Sequence, residues 1–312
     1  MANGGESFRG ALGEAALPVG IAVSSSERSE APLRQAIRRL RKSTTAVIGV
    51  VIVAVLLLVA LFADVLAPRS PIANDQTQTF ARPSWEHPLG SDQLGRDMLS
   101  RVIHGTRISL LVGVSSVLLA LFVGVPFGLI AGYYGGRVDS VVMRAMDLIL
   151  AFPIYLLAII LMVIFTPTAG LIGTMKVTGA IAIVRIPIYA RLVRGSVLSI
   201  KEKEYIEASR ALGVRDPAIL ARHVLPNCLA PIIVTTTLGI ATSIIVEATL
   251  SFLGLGTQPP TPSWGWDLKA NVSFIQANPW LSLFPGLAIF VTVLGFNLFG
   301  DGLRDALDPR LK

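Results

Sequence analysis

Charge is what this sequence has least of. Only 15% of its 312 residues are Asp, Glu, Lys or Arg, and 53% are hydrophobic, whereas a soluble domain carries about 25% charged residues. That balance excludes an ordinary soluble domain and indicates a membrane chain. Cysteine is nearly absent. Cys228 stands alone, which excludes an intramolecular disulfide and any cysteine-based metal site. No G-x-x-x-x-G-K-[ST] segment is present, so the chain has no phosphate-binding loop of its own. His87, His104 and His223 are its only histidines, and all three fall outside the predicted membrane core. That leaves no intramembrane Ser/His nucleophile pair, and no His/carboxylate cluster with metal-ligand spacing.

Long uncharged runs are what the sequence has instead. About 20 residues cross the hydrocarbon core as a helix. Ala46 to Ala63 is uncharged and extends to Ala67 if Asp64 lies at the interface. Twenty-nine uncharged residues separate Arg107 from Arg137, and a further 28 run from Leu148 to Met175, with a turn expected at Thr166–Gly170. Cys228 to Val246, continuing past Glu247 to Leu255, and Leu281 to Gly300 are two more spans. Ala169 to Ala190 is weaker because Lys176 and Arg185 interrupt it. Parity makes it a span, since the basic segments on either side need two passes between them to share one side. The expectation is an all-α polytopic membrane protein with six transmembrane helices.

The net charge of +7 does not indicate nucleic acid, because the basic residues gather between apolar runs as orientation signals do. Nineteen Lys/Arg fall on the segments assigned inside and seven outside, which puts both termini in the cytoplasm. The first apolar run follows 45 mostly polar residues and is too long for a signal peptide, so it reads as an uncleaved anchor. The resulting division is a cytoplasmic tail at 1–45, a first transmembrane helix at 46–67 and an extracytoplasmic loop at 68–106. A core of five transmembrane helices at 107–303 contains a cytoplasmic loop at 195–227, and a cytoplasmic tail fills 304–312. Residues 1–31 read as disordered. Residues 31–43 read either as a basic amphipathic helix on anionic lipid or as a solvated tail with a stop-transfer cluster.

The cytoplasmic loop has a definite grammar. "KEKEYIEASRAL" is helical by propensity, with Tyr205, Ala208, Ser209 and Leu212 on one side, and Glu207 is spaced to pair with Arg210. Gly213 supplies a C-terminal cap. Asp216–Pro217 offers an N-cap followed by proline at the first helical position, and Pro226 bends or ends the second helix. This is a helix–turn–helix elbow. It reads either as a well-capped connection or as a docking surface. The small face at Ala208, Ser209 and Ala211, with Tyr205 and Leu212 exposed beside it, favours docking.

The order Glu207-Ala208-Ser209, Gly213, His223-Val224-Leu225-Pro226 resembles the EAA loop of transmembrane subunits in binding-protein-dependent ABC importers. Ser209 replaces the second alanine. "HPLGSDQLGRDMLSRVIHGTRISL" (87–110), "MDLILAFP" (146–153), "ARLVRG" (190–195), "LSFLGLGTQPPTPSWG" (250–265) and "NLFGDGLRDALDPRLK" (297–312) are similar, in the same order, to the C-type permease subunit of dipeptide and oligopeptide importers. Glutathione and nickel importers are close relatives. The resemblance implies the ABC type I importer permease (MetI-like) fold and a bacterial cytoplasmic (inner) membrane location. Implied with it are a homologous second permease, two ATP-binding subunits that hold ATP and Mg, and an extracytoplasmic substrate-binding protein. The chain itself would then bind no cofactor or metal and perform no catalysis. Tyr205, Glu207, Ala208, Ser209, Arg210, Leu212, Gly213, His223, Leu225 and Pro226 would form the loop that docks in the ATP-binding subunit.

Polar residues inside the membrane are the candidate path. Asp147 is placed to pair with Arg185 near the inner ends of their spans, or Arg185 snorkels to the headgroups. Related sequences often have an uncharged residue at position 185. Glu247 faces a vestibule, where it would meet a peptide amino group, or lies at the outer interface. Asn297 reads as an interhelical hydrogen bonder. Two other classes stand against the importer: an intramembrane enzyme, which lacks a catalytic set here, and a secondary carrier, which needs no docking elbow.

Overall fold

The computed structural model describes residues 38 and 40–307. The tail at 1–31, residues 32–37 and 39 of the basic segment at 31–43, and residues 308–312 of the C-terminal tail lie outside the described residues. Among the described residues the regular structure is helical, with two isolated β-bridges. Five helices are long and apolar enough to cross a membrane, and a sixth crossing is a bent pair.

Helix α1 (Thr44–Leu61) starts at Ser43, whose Oγ accepts from the Ala46 N–H at 3.4 Å. It is followed by the single turn α2 (Ala63–Leu66). Most of α1 faces outward, as expected of a helix in lipid. Its small residues meet the last helix, since a Cβ on Gly49 would lie 2.4 Å from the Phe299 backbone.

Helix α3 (Met98–Tyr134) begins ten residues before the expected uncharged run, and Arg101 and Arg107 lie inside it. Arg101 is fully buried, and the carboxylate of Asp267 accepts from its Nε at 2.7 Å. Its charge is matched locally, and so does not end the helix. The Asp97 carboxylate caps α3 by accepting from the Ser100 N–H at 2.8 Å.

The third crossing is broken. Helix α4 (Gly136–Leu150) and helix α5 (Ile154–Phe165) meet at 86° across residues 151–153. The expected continuous run from Leu148 therefore does not form. Pro153 has no N–H and disfavours helical backbone at the preceding residue. With 12 residues, α5 is about 18 Å long and covers only part of the bilayer. The turn expected at Thr166–Gly170 is present, with positive φ at both residues.

Helix α6 (Gly170–Ile200) runs ten residues beyond the expected end at Ala190. It lies along α3 in the closest seam of the bundle. A Cβ on Gly124 would stand 2.7 Å from the Ile186 carbonyl oxygen. On Gly128 it would stand 2.5 Å from the Ala190 oxygen, and on Gly132 2.8 Å from Val197 Cβ. The four-residue spacing puts all three glycines on one face, letting the two backbones approach as membrane helices with small-residue seams do.

The elbow comprises α7 (Glu204–Ala211) and α8 (Asp216–Ile219). A π-turn at Leu220–Val224 then leads directly into α9 (Leu225–Phe252). Pro226 was expected to bend or end the second helix; the helix does not end there, and the chain stays helical from Asp216 to Phe252. The wider turn, in which the Leu225 N–H reaches the Leu220 oxygen, absorbs the N–H that proline lacks. The short α10 (Trp264–Asn271) caps the outer side, and α11 (Trp280–Leu307) completes the bundle.

The glycine seam predicts that Gly128→Ile costs about 1–3 kcal/mol by overpacking. The cost should appear as a lower thermal midpoint of the purified protein in detergent. Gly179→Ile on α6, where a Cβ meets nothing within 4 Å, should change the midpoint far less.

Candidate functional site

The elbow is built from two buried anchors and an exposed surface. Ile206 and Ile219 are fully buried with Val224, Cys228 and Val197, and fix α7 and α8 to the C-terminal end of α6 and the N-terminal end of α9. Ile206 was not singled out in the sequence, although it lies between Tyr205 and Glu207. The expected cap at Gly213 forms: the residue has φ +76°, its N–H reaches the Arg210 oxygen at 2.9 Å, and the Val214 N–H reaches the Ser209 oxygen at 3.1 Å. These two bonds close the end of α7.

Two expected local bonds are replaced. Arg210 does not pair with Glu207. Its guanidinium lies 4.9 Å from the Tyr133 ring centroid, and its Nε donates to Tyr133 Oη at 3.3 Å. Asp216 does not cap α8; Arg215 holds the N-cap position, and the Asp216 carboxylate accepts from the Tyr133 hydroxyl at 2.8 Å. One aromatic residue at the inner end of α3 thus clamps both arms of the elbow. A cation over a ring and a hydrogen bond to a carboxylate together outcompete a solvated i,i+3 pair.

The remaining loop residues fall into two sets. Glu207, Ala208 and Pro226 are exposed, Tyr205 is 41% exposed and Leu212 83%. Ser209 is half-buried, and its hydroxyl donates to the Tyr205 carbonyl at 2.7 Å. His223 and Leu225 are half-buried beside Val224. The exposed set forms a surface with a carboxylate, a small-residue patch and a large apolar side chain.

The intramembrane candidates are not brought together. Asp147 pairs with Arg191, not with Arg185. Asp139 on the same helix pairs with Arg194 through two bonds of 2.6 Å. Arg185 donates to Thr242 Oγ1 on α9 and lines a cavity of about 240 Å³ between α5, α6 and α9. It lies at the middle of α6, not near its inner end.

Glu247 is fully buried, so it opens onto no vestibule in this structure. Its carboxylate accepts from Ser251 at 2.8 Å, Ser263 at 3.0 Å and Ser109 at 3.2 Å. It fastens α9, α3 and the segment before α10 to one another. Asn297 is half-buried and makes no side-chain hydrogen bond among the described residues.

The loop between α2 and α3 is a packed cap. His87 Nδ1 lies 3.0 Å from Asp97 Oδ1, and Arg69 Nη1 lies 3.0 Å from His87 Nε2. The Arg101–Asp267 pair and the Trp264 Nε1 bond to the Val102 oxygen at 2.9 Å tie α3 to α10. Arg107 Nη2 donates to Asp64 Oδ2 at 3.0 Å, and His104 Nε2 lies 3.2 Å from Asp64 Oδ1. Trp85 projects fully exposed from the loop.

Tyr133→Phe removes the hydroxyl bond to Asp216 at a cost of about 1 kcal/mol. The expected result is faster limited proteolysis within 204–219, with little change in the thermal midpoint of the bundle.

Comparison with known proteins gives a consistent picture. Residues 124–312 match the family described as binding-protein-dependent transport system inner membrane component. Residues 31–83 match the N-terminal TM domain of oligopeptide transport permease C. A dipeptide transport system permease protein of Alkalihalophilus pseudofirmus is 46% identical over 90% of this chain and 91% of its own length. The Escherichia coli K12 dipeptide transport system permease protein is 45% identical over 90% and 94%. A glutathione transport system permease protein of Pectobacterium atrosepticum is 46% identical over 90% and 92%. A chain of the MetNI methionine ABC transporter, solved in inward-facing conformations, shares the fold. Its TM-score is 0.55 at 20% identity, over 68% of this chain and 98% of that one.

Proposed function

The chain belongs to the family of binding-protein-dependent transport system inner membrane components, and from that premise we propose that it carries dipeptides or short oligopeptides inward as one of two paired permease subunits. A permease of this family is a component of an ABC importer, built in the MetI-like fold. Peptide cargo is supported by the identity of 45–46% to dipeptide permeases across nine-tenths of the chain. Glutathione, itself a short peptide, is the second reading, supported by a relative of equal identity.

The observation that carries the proposed mechanism is the clamped elbow. Its apolar anchors and Tyr133 bind it to the bundle, while Glu207, Ala208 and Leu212 face away. A connecting loop has no need of an exposed leucine beside a rigid clamp. On this reading the elbow docks in an ATP-binding subunit, with a second elbow on the homologous permease docking in another. Those subunits bind ATP and Mg and hydrolyse the nucleotide, since the sequence has no phosphate-binding loop. This chain contributes no catalytic residue and no cofactor or metal site.

An extracytoplasmic binding protein would deliver substrate to the outer cap, where residues 72–77, 82–86 and the Pro259–Pro260 turn are exposed. The excess of Lys/Arg on the elbow side supports a cytoplasmic location for the elbow and both termini. Closure of the ATP-binding pair would push the elbows and rock the bundle between inward- and outward-facing states.

Two substitutions test the coupling. Glu207→Lys reverses a charge on the exposed face. Gly213→Pro removes the N–H that caps α7 and forbids its φ of +76°. Both proteins should reach the membrane, while uptake of labelled dipeptide in cells falls at least about tenfold, the loss expected when a buried charged contact is broken. Normal uptake with normal ATPase association would remove the elbow from the coupling path. Competition binding of dipeptides and glutathione to the cognate binding protein separates the two cargo readings.

A further inference from the structure

Arg185 is an intramembrane cation for which the described residues provide no carboxylate within ion-pair distance. The neighbouring basic residues of α6 are all satisfied: Lys176 donates to the Thr166 oxygen at 2.9 Å, Arg191 pairs with Asp147, and Arg194 pairs with Asp139. Arg185 stands between them, about 13 Å along the axis from Lys176 and about 9 Å from Arg191. Its guanidinium does not run along α6 toward headgroups. It crosses to α9, where Nη2 donates to Thr242 Oγ1, and its Nε is buried without a partner.

A second buried polar group lies beside it. Tyr189 is 0% exposed, and its hydroxyl interacts with the Thr236 side chain. Tyr189 Oη and Arg185 Nη1 lie 2.6 Å and 3.7 Å from the point where a Cβ on Gly239 would stand. Absence of a side chain there leaves both groups their space. The unsatisfied buried Nε of Arg185 needs an explanation, and a ligand is one.

The opposite wall of the cavity is the start of α5. Ile154 and Tyr155 line it, and the first intrahelical bond of α5 is Leu157 N–H to the Pro153 oxygen at 2.9 Å. The amides of residues 154–156 therefore have no intrahelical acceptor, and no side chain caps them. A half-helix whose N-terminus ends within the bilayer beside an arginine favours negative charge. The other walls are apolar, including Val184 and Ile245. The cavity of about 240 Å³ is below the roughly 300–1,000 Å³ of sites that enclose a whole ligand. It suits a terminal group better than an entire peptide.

We propose that Arg185, with Thr242 and the start of α5, forms a carboxylate subsite that receives the C-terminus of a peptide in transit. The proposal rests on the peptide-import reading for its ligand, but its electrostatic core does not. An acidic side chain of the second permease is the competing occupant.

The chain has one cysteine, so a reporter thiol is simple to place. In a Cys228→Ser background, Ile245→Cys puts a thiol in the cavity wall, away from the Arg185 hydrogen bond. The assembled transporter in lipid nanodiscs is treated with an anionic and a cationic methanethiosulfonate reagent, with rates normalised to a free thiol. The anionic ethylsulfonate should react about tenfold faster than the cationic ethylammonium, because a unit charge a few ångströms away in a partly buried site exceeds one decade. Arg185→Gln should abolish that preference and Arg185→Lys should retain it. A thiol that reacts with neither reagent in any nucleotide state overturns the proposal, as filling by a partner's acid would cause. A preference that survives Arg185→Gln also overturns it.

Proteoliposomes with saturating binding protein test the ligand. Arg185→Gln should cut uptake of a dipeptide about tenfold and leave the slower uptake of its C-terminal amide unchanged. Equal losses for acid and amide overturn the carboxylate assignment. If the wild-type complex moves no peptide, the import reading fails and the peptide assignment with it, while the labelling ratio still decides whether the anion site exists.

Discussion

The approach of α3 to α6 over Gly124, Gly128 and Gly132 is the contact on which the other features depend. Lipid tails are as apolar as leucine, so helices in a bilayer gain nothing from hiding apolar surface against each other, and close packing has to hold them together. Once these two backbones are fixed, the rest of the protein is positioned from them. The outer end of α3 carries Arg101 and Ser109, which fasten α10 and Glu247. Its inner end carries Tyr133, one residue past the last glycine of the seam, which clamps the elbow. Helix α6 carries Arg191 and Arg194, which hold α4 in place.

Pairing separates the structural charges from the exceptional one. Arg101 is more deeply buried than Arg185, yet Asp267 and the Pro71 oxygen meet its donors. Removing one member of such a pair costs about 3–5 kcal/mol, since it strands the other charge. The basic residues of α6 have acids or carbonyls nearby, except at position 185. A cation stranded in apolar surroundings is expensive, and in this fold a single mutation to a neutral residue would remove the expense. That the side chain instead reaches toward an open cavity argues that its value lies in what enters.

Much of this was legible in the sequence. The apolar runs located the crossing helices, because hydrocarbon thickness sets a length that composition reveals. The turn at Thr166–Gly170 followed from its proline and glycine, and the cap at Gly213 from the tolerance of glycine for positive φ. Long-range electrostatics was not legible. Arg101 was assigned to the extracytoplasmic loop at 68–106, and a carboxylate 166 residues away allows it inside α3. Glu247 looked like a vestibule group because two of its three serine donors, Ser109 and Ser263, come from other segments of the chain. Local bonds failed for the same reason: Arg210 and Asp216 both turned to Tyr133, which no i,i+3 rule anticipates. Two misses had visible signals. Phe152-Pro153 marked the break between α4 and α5, and the four-residue spacing of Gly124, Gly128 and Gly132 marked the seam.

These pieces suggest how the two ends of the proposed mechanism communicate. The elbow is attached rigidly, through Ile206, Ile219 and Tyr133, and Lys201 donates to the Gly132 oxygen at 3.1 Å. Displacement of the elbow therefore acts on the inner ends of α3 and α6 together, because the glycine seam does not let one slide without the other. Helix α4 follows through its two ion pairs with α6. The first compliant joint on that route is the break at residues 151–153, where α4 and α5 meet at 86°. Beyond it lie Ile154 and Tyr155, which form one wall of the Arg185 cavity. On the proposed reading, a push at the cytoplasmic face is spent in changing the angle of α5, and so in opening or closing the cavity that faces Arg185. A rigid train of helices with one hinge beside the cation transmits motion to the point where substrate charge would be held.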